Sequence, residues 1–307
     1  MLGHITDPQA EGGLDRRELP DPVPGDHDVL IRVAAYAVNR GELSLLEQRP
    51  DGWLPGQDLA GTLARAAADG TGPPEGARVV GVADGGAWSE LAVVPSHRVA
   101  VLPDEVDVTQ AAALPVAGLT ALRTLRTGGP LLGAKVLVTG ATGGVGTFAL
   151  QLAVAAGANV TALVSRPERA EGARALGAHE VVTELGEETG PFDLVLEGVG
   201  GQVLVDAIRR LAAKGTVTAY GMAGGQQPAP LAFYDFAAGG GQLGRLIGFF
   251  IYATGEETFG EDLGMLAGLV ADGRLRVDST VRDWSETRAA LQDFRDRRIS
   301  GKLVLTL

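Results

Sequence analysis

The stretch Val136-Leu-Val-Thr-Gly140-Ala-Thr-Gly143-Gly144-Val-Gly146-Thr-Phe-Ala-Leu-Gln-Leu-Ala153 runs from an apolar strand through a glycine turn into a helix. Glycine is needed where φ turns positive and where backbone must come close to a pyrophosphate. The helix start then offers unpaired N–H groups and a partial positive charge to phosphate. A glycine turn made for packing alone is the simpler alternative. The strand–turn–helix context favours a nucleotide held by Thr142, Gly143, Gly144 and Val145.

On either side of this turn the chain alternates strand and helix. Strands are expected at 135–139, 159–164, 180–182, 192–196, 216–220 and 245–251, with helices at 144–156, 167–176 and 202–211. Apolar strands linked by helices imply a parallel sheet covered on both faces, and so a doubly wound dinucleotide-type domain. Upstream, short strands at 29–37, 59–66, 78–83 and 88–94 are separated by Gly- and Pro-rich turns, which suggests a small β-barrel-like domain. Helices at 109–113 and 116–125, broken by Pro115, join the two parts. The tail carries a helix at 258–271, a strand near 277–281, a helix capped by Ser285 and running to about Phe294, and a last strand at 302–306.

Composition excludes several classes. The 307 residues are 45% hydrophobic, enough for two cored domains. A net charge of −12 repels phosphate backbones and anionic lipid, so neither nucleic acid nor membrane is an expected partner. The chain has no cysteine, which removes disulfides and thiolate metal sites. Met1 to Asp28 holds no apolar signal region, and a soluble cytoplasmic protein is expected. None of Tyr36, Tyr220, Tyr234 and Tyr252 is followed four residues later by lysine, which argues against the short-chain reductase mechanism.

After the 159–164 strand, a dinucleotide fold that takes NAD usually places an acid for the ribose 2′-hydroxyl. Here Ser165-Arg166-Pro167-Glu168-Arg169 follows instead. Ser165, Arg166 and Arg169 suit a 2′-phosphate, which points to NADPH. Ordinary surface arginines at a helix start are the alternative.

Several further motifs resemble one family. They are Asn39 in Ala-Tyr-Ala-Val-Asn39-Arg, Leu54-Pro-Gly56-Gln-Asp58-Leu-Ala-Gly61, Gly86-Ala-Trp-Ser-Glu-Leu-Ala-Val-Val-Pro95, Ala112-Ala-Leu-Pro115-Val-Ala-Gly118-Leu-Thr120-Ala and the closing Gly301-Lys302-Leu-Val-Leu. In this order, spread over nearly the whole chain, they resemble medium-chain dehydrogenases/reductases of the zinc-free quinone oxidoreductase and enoyl reductase type. The resemblance implies an α/β protein with a GroES-like, β-rich catalytic domain at 1–115 and 272–307. A Rossmann domain for NADPH is inserted at 116–271. It also implies a homodimer, with the apolar 246–251 strand at a sheet edge. Zinc alcohol dehydrogenases of the superfamily need cysteine ligands, which this chain lacks, so no metal is expected. The segment from Glu42 to Pro55 is short beside these relatives, and Trp53 is its one aromatic residue.

The chemistry implied is hydride transfer from NADPH to a quinone or an α,β-unsaturated carbonyl, a small-molecule substrate. Charge then develops on the carbonyl oxygen and must meet hydrogen-bond donors. The resemblance puts Asn39 and Thr120 beside the cofactor as the catalytic candidates, although Asn39 could simply end a strand and Thr120 cap its own helix. Asp58 reads as a buried structural acid more readily than as a proton donor, and Tyr36 as core or catalytic alike. Tyr220-Gly221-Met222 ends a parallel strand at the ligand-binding face, and Glu197-Gly198-Val199-Gly200-Gly201, which ends the preceding strand, either joins it there or is simply a tight turn. Phe249 and Phe250 wall the cofactor or form an apolar edge. Lys302 reaches the cofactor phosphates or is an exposed strand lysine.

Overall fold

The computed structural model describes residues 1–238 and 240–307. The chain forms two compact units, Met1–Leu119 with Gly255–Leu307, and Thr120–Thr254.

The first unit is built from β1 (Leu2–Thr6), β2 (Leu14–Glu18), β3 (Asp28–Val38), α1 (Arg40–Gln48), β4 (Asp58–Arg65), β5 (Arg78–Val82), β6 (Leu91–Pro95), β7 (Val99–Val101), α2 (Val108–Ala112) and the start of α3 (Pro115–Arg126). Pro115 begins α3, because a first-turn residue needs no N–H partner. β3 pairs antiparallel with β4, with β6 and with the last strand of the chain. Tyr36 and Trp88 stack at 5.6 Å in the core of this unit, and the Tyr36 hydroxyl meets Thr287 Oγ1 at 2.7 Å. Tyr36 is therefore a core residue.

β1, β2, α1 and β7 have no counterpart in the sequence reading. β1 and β2 form a small antiparallel pair, and Leu14 fills the core with no exposed surface. The strand expected from residue 88 begins at Leu91, because residues 88–90 bond β1 instead: His4 N donates to Trp88 O and Glu90 N to Leu2 O.

The second unit holds β8 (Lys135–Thr139), α4 (Gly144–Ala155), β9 (Asn159–Leu163), α5 (Ala170–Ala175), β10 (Glu180–Val182), β11 (Phe192–Glu197), α6 (Gly201–Ile208), β12 (Leu211–Ala219), α7 (Asp235–Ala238) and β13 (Arg245–Gly248). Its six strands are all parallel and run in the order β10-β9-β8-β11-β12-β13. This is the doubly wound order, with its switch point between β8 and β11. β13 is shorter than expected. It ends at Gly248 because its partner β12 ends at Ala219, which leaves Phe249 and Phe250 beyond the strand.

The chain closes the first unit with α8 (Phe259–Ala271), β14 (Ser279–Asp283), α9 (Thr287–Arg295) and β15 (Lys302–Thr306). The sequence reading carried the nucleotide domain to residue 271, yet α8 groups with the first unit. Gly260 explains why: a Cβ there would stand 2.7 Å from Val99 O and 2.9 Å from His97 O, so the helix lies directly on that backbone. Ser285 does not cap α9. Its N–H donates to Asp283 Oδ1 at 2.9 Å, and the helix proper starts at Thr287.

Candidate active site

In the second unit, β8 delivers the chain to Gly140, whose φ of +57 makes the turn into α4. Gly146 lies over that turn. A Cβ there would be 2.3 Å from Gly140 O and 2.8 Å from Ala141 Cα. The turn therefore requires glycine on both sides. Among the described residues, no acceptor within the protein meets the N–H groups of Gly144, Val145 and Gly146. Three free donors at a helix start, with the positive end of its dipole, fit a diphosphate.

The other predicted loops follow the carboxyl ends of the neighbouring strands. After β9, Ser165 and Arg166 are exposed, and Arg169 is half-buried with Nη1 donating to Thr142 Oγ1 at 3.3 Å. After β11, Gly198 packs under the Tyr220 ring, so close that a Cβ would lie 2.6 Å from it. Ala223 N donates to Gly198 O and Gly224 N to Val199 O, which ties the loops after β11 and β12 together. Gly221 and Met222 are exposed beside them, as is Phe250, while Phe249 is half-buried. Phe249 N is held by Ala219 O at 2.8 Å. Thr120 is buried in α3, and its carbonyl accepts from Thr124 Oγ1 at 2.7 Å, one turn further along the helix.

One member of this region was named in the sequence only as the end of a strand. Glu197 is fully buried, and its carboxylate accepts from Val199 N at 2.7 Å, Gly200 N at 3.0 Å and Thr139 Oγ1 at 3.2 Å. Burial pushes its pKa up, while these donors pull the other way. Burial, with Glu197 nearby, raises the Tyr220 phenol. Glu197 thus shapes the 198–200 turn from within.

The first unit carries a second polar cluster. Lys302 Nζ donates to Asn39 Oδ1 at 2.6 Å, Asp58 Oδ2 at 3.1 Å and Val38 O at 3.3 Å. Lys302 is neither an exposed strand lysine nor free for phosphate, since its three protons have three acceptors within the fold. Asn39 Nδ2 donates to Asp58 Oδ2 at 2.8 Å, and Asp58 Oδ1 takes Val116 N at 2.9 Å near the start of α3. Asp58 is the structural acid that the sequence favoured. Glu42 was missed. Its carboxylate accepts from Asn39 N at 2.7 Å and Gln57 N at 2.9 Å, and burial, then the Asp58 charge, pushes its pKa up to about 8. The signal was present in the sequence, as Asn39-x-x-Glu42 is a capping-box spacing at a helix start. Elsewhere in the same unit, Trp53 and Leu54 line an open depression with Gly85, Gly86, Leu91 and Val93.

Two family models match the chain: the alcohol dehydrogenase GroES-like domain over residues 25–104 and the zinc-binding dehydrogenase over 144–267. The chain belongs to the medium-chain dehydrogenase/reductase superfamily. Its type is that of the zinc-free quinone oxidoreductases, and the name of the second model does not restore the cysteines this chain lacks.

A quinone oxidoreductase of Pseudomonas aeruginosa is 29% identical over 95% of both chains. The polyketide synthase protein NorB of Streptomyces orinoci is 32% identical over 92% of this chain, and the match spans 13% of that protein. A chloroplast envelope quinone oxidoreductase homolog of Arabidopsis thaliana is 34% identical over 55% of this chain and 56% of its own length. The chain therefore spans about half or less of the length of those last two relatives. Among solved structures, a mycobacterial protein complexed with NADPH superposes with a TM-score of 0.87 at 27% identity, covering 100% of both chains. Within this superfamily, one cluster lies at the glycine turn of the Rossmann-like unit and the other surrounds an ordered Asn39 in the GroES-like unit.

Proposed function

We propose that this chain reduces a quinone or an α,β-unsaturated carbonyl with NADPH, by hydride transfer without a metal. The observation that carries the reading is the free N–H row of Gly144, Val145 and Gly146 at the switch point of a parallel sheet. NADPH, when bound, supplies the hydride. Gly143 to Gly146 hold its diphosphate, and Arg166 and Ser165 take the 2′-phosphate, with Arg169 braced on Thr142. Tyr220, Gly221, Met222, Gly198, Val199, Phe249 and Phe250 bound the rest of the nucleotide site. Thr120 and Asn39 supply donors, Asn39 to the oxygen on which charge develops. The test is NADPH with a panel of quinones and enones, followed by nicotinamide absorbance. NADPH binding without turnover of any member would refute the reading and leave a nucleotide-binding protein.

The NorB match favours a second reading, an enoyl reductase dedicated to a polyketide- or thioester-like substrate. Turnover confined to such thioesters would select it. We also propose a cytoplasmic homodimer. β13 closes one end of the six-stranded sheet, and Leu246 and Phe250 are exposed beside its free edge. Sedimentation at working concentration tests this, and a monomer would remove it.

A further inference from the structure

Asn39 is held at three points, and the arrangement selects one of its two amide orientations. An asparagine side chain has nearly the same shape after a 180° flip, yet one state presents a donor and the other an acceptor. Here Oδ1 receives the Lys302 ammonium at 2.6 Å and Nδ2 gives one proton to Asp58 at 2.8 Å. Flipping would set the amide N–H groups against the ammonium and the amide oxygen against the carboxylate. Both contacts would become repulsive inside the fold, where Lys302 and Asp58 are 3% and 0% exposed. Val38 O also holds Lys302, Val116 N holds Asp58, and Glu42 fixes the Asn39 backbone. Of the four side chains, only Asn39 has appreciable exposure. The second Nδ2 proton has no partner among the described residues, so it remains for a ligand.

We propose that Lys302 is a positioning residue: with Asp58 it locks the Asn39 amide so that an N–H, and never the carbonyl, faces the substrate oxygen. This rests on the reading of Asn39 as the donor to that oxygen. The ammonium also draws electron density from the amide and strengthens the outward N–H. A donor already aimed where charge develops needs no reorientation during the reaction.

The test is a mutant cycle of Asn39→Ala against the paired change Lys302→Met with Asp58→Asn. The pair removes both buried charges together, so neither is left alone. Each arm is expected to lower kcat about 100-fold, with KM and the NADPH Kd held within about twofold. The triple variant should lose no more than about twofold beyond either arm. Wild-type kcat in Asn39→Ala overturns the donor reading and this proposal with it. A large loss there, with wild-type kcat in the paired variant or additive losses in the triple, overturns this proposal alone. Should the paired variant not fold, rotation of the Asn39 carboxamide in the intact enzyme is measured by proton exchange NMR. Rotation must break both bonds and is expected at least about tenfold slower than in free asparagine. Rotation at the free rate overturns the lock.

Discussion

Replacing Gly146 by alanine inserts one methyl group where the structure leaves no room. The new Cβ would stand 2.3 Å from Gly140 O and 2.8 Å from Ala141 Cα, and both neighbours are backbone. Ordinary contact begins at 3.4 Å, so the start of α4 must withdraw from the turn by about 1 Å. Overpacking of this kind costs roughly 1–3 kcal/mol of stability. The same withdrawal moves the free N–H groups of Gly144 and Val145 away from a diphosphate. If about 1.4–3 kcal/mol of charge-assisted hydrogen bonding goes with them, NADPH affinity falls about 10- to 100-fold. Gly268→Ala in α8 is the control, because nothing lies within 4 Å of its added Cβ. That change should leave binding alone and raise stability by about 0.4–1 kcal/mol. Isothermal titration with NADPH and thermal melts of all three proteins give the answer. Wild-type affinity and melting in Gly146→Ala would mean that close backbone approach plays no part in the site.

Replacing Arg166 and Arg169 together by alanine should weaken NADPH binding about tenfold or more and leave NADH binding at its weaker level, since guanidinium–phosphate contacts contribute roughly 1.5–3 kcal/mol each. Titration with both cofactors checks this, and equal losses would show that Arg169 only braces Thr142. Protonation of His4 should couple to unfolding. Burial first, then Arg16 and Arg288, lowers its pKa from 6.5 to about 4. The unfolded chain takes the proton first as pH falls, so the stability His4 contributes is full above pH 6.5 and drains between 6.5 and about 4, by up to about 3 kcal/mol. Urea melts of the wild type and His4→Leu across pH 4–8 should diverge on the acid side; parallel curves would clear His4. Finally, Glu197→Leu should strand the N–H groups of Val199 and Gly200 and the Thr139 hydroxyl, at about 1–3 kcal/mol for an unmet buried donor. Amide exchange that stays slow at 198–200 in that variant would refute the account of the turn.

The second unit could be read in advance because its information is local. A strand, a glycine turn and a helix lie within one short stretch, and each parallel strand ends in its own loop. Period and turn chemistry thus carry the alternation directly into the glycine turn at the start of α4. The first unit was harder for a physical reason. β3 bonds β4 nearby, but it also bonds β15 from the far end of the chain. The apolar pattern marks β3 as a strand without naming such a partner. Its polar cluster has the same character. Asn39, Asp58 and Lys302 are each ambiguous alone: a strand end, a structural acid, a surface lysine. They acquire chemistry only when β15 lies against β3 and places Leu303 opposite Val38, with Lys302 next to it in sequence. The Lys302–Asn39 contact spans 263 positions. Local pattern could therefore present Lys302 only as a choice between phosphate and solvent. Its actual partners depend on the register of a single antiparallel ladder. A one-residue slip in that ladder would turn Lys302 to the opposite face and release Asn39. The register of this one ladder thus sets the Asn39 amide as well as the strand pairing, and a variant that shifts it should lose the ordered amide while it keeps the sheet.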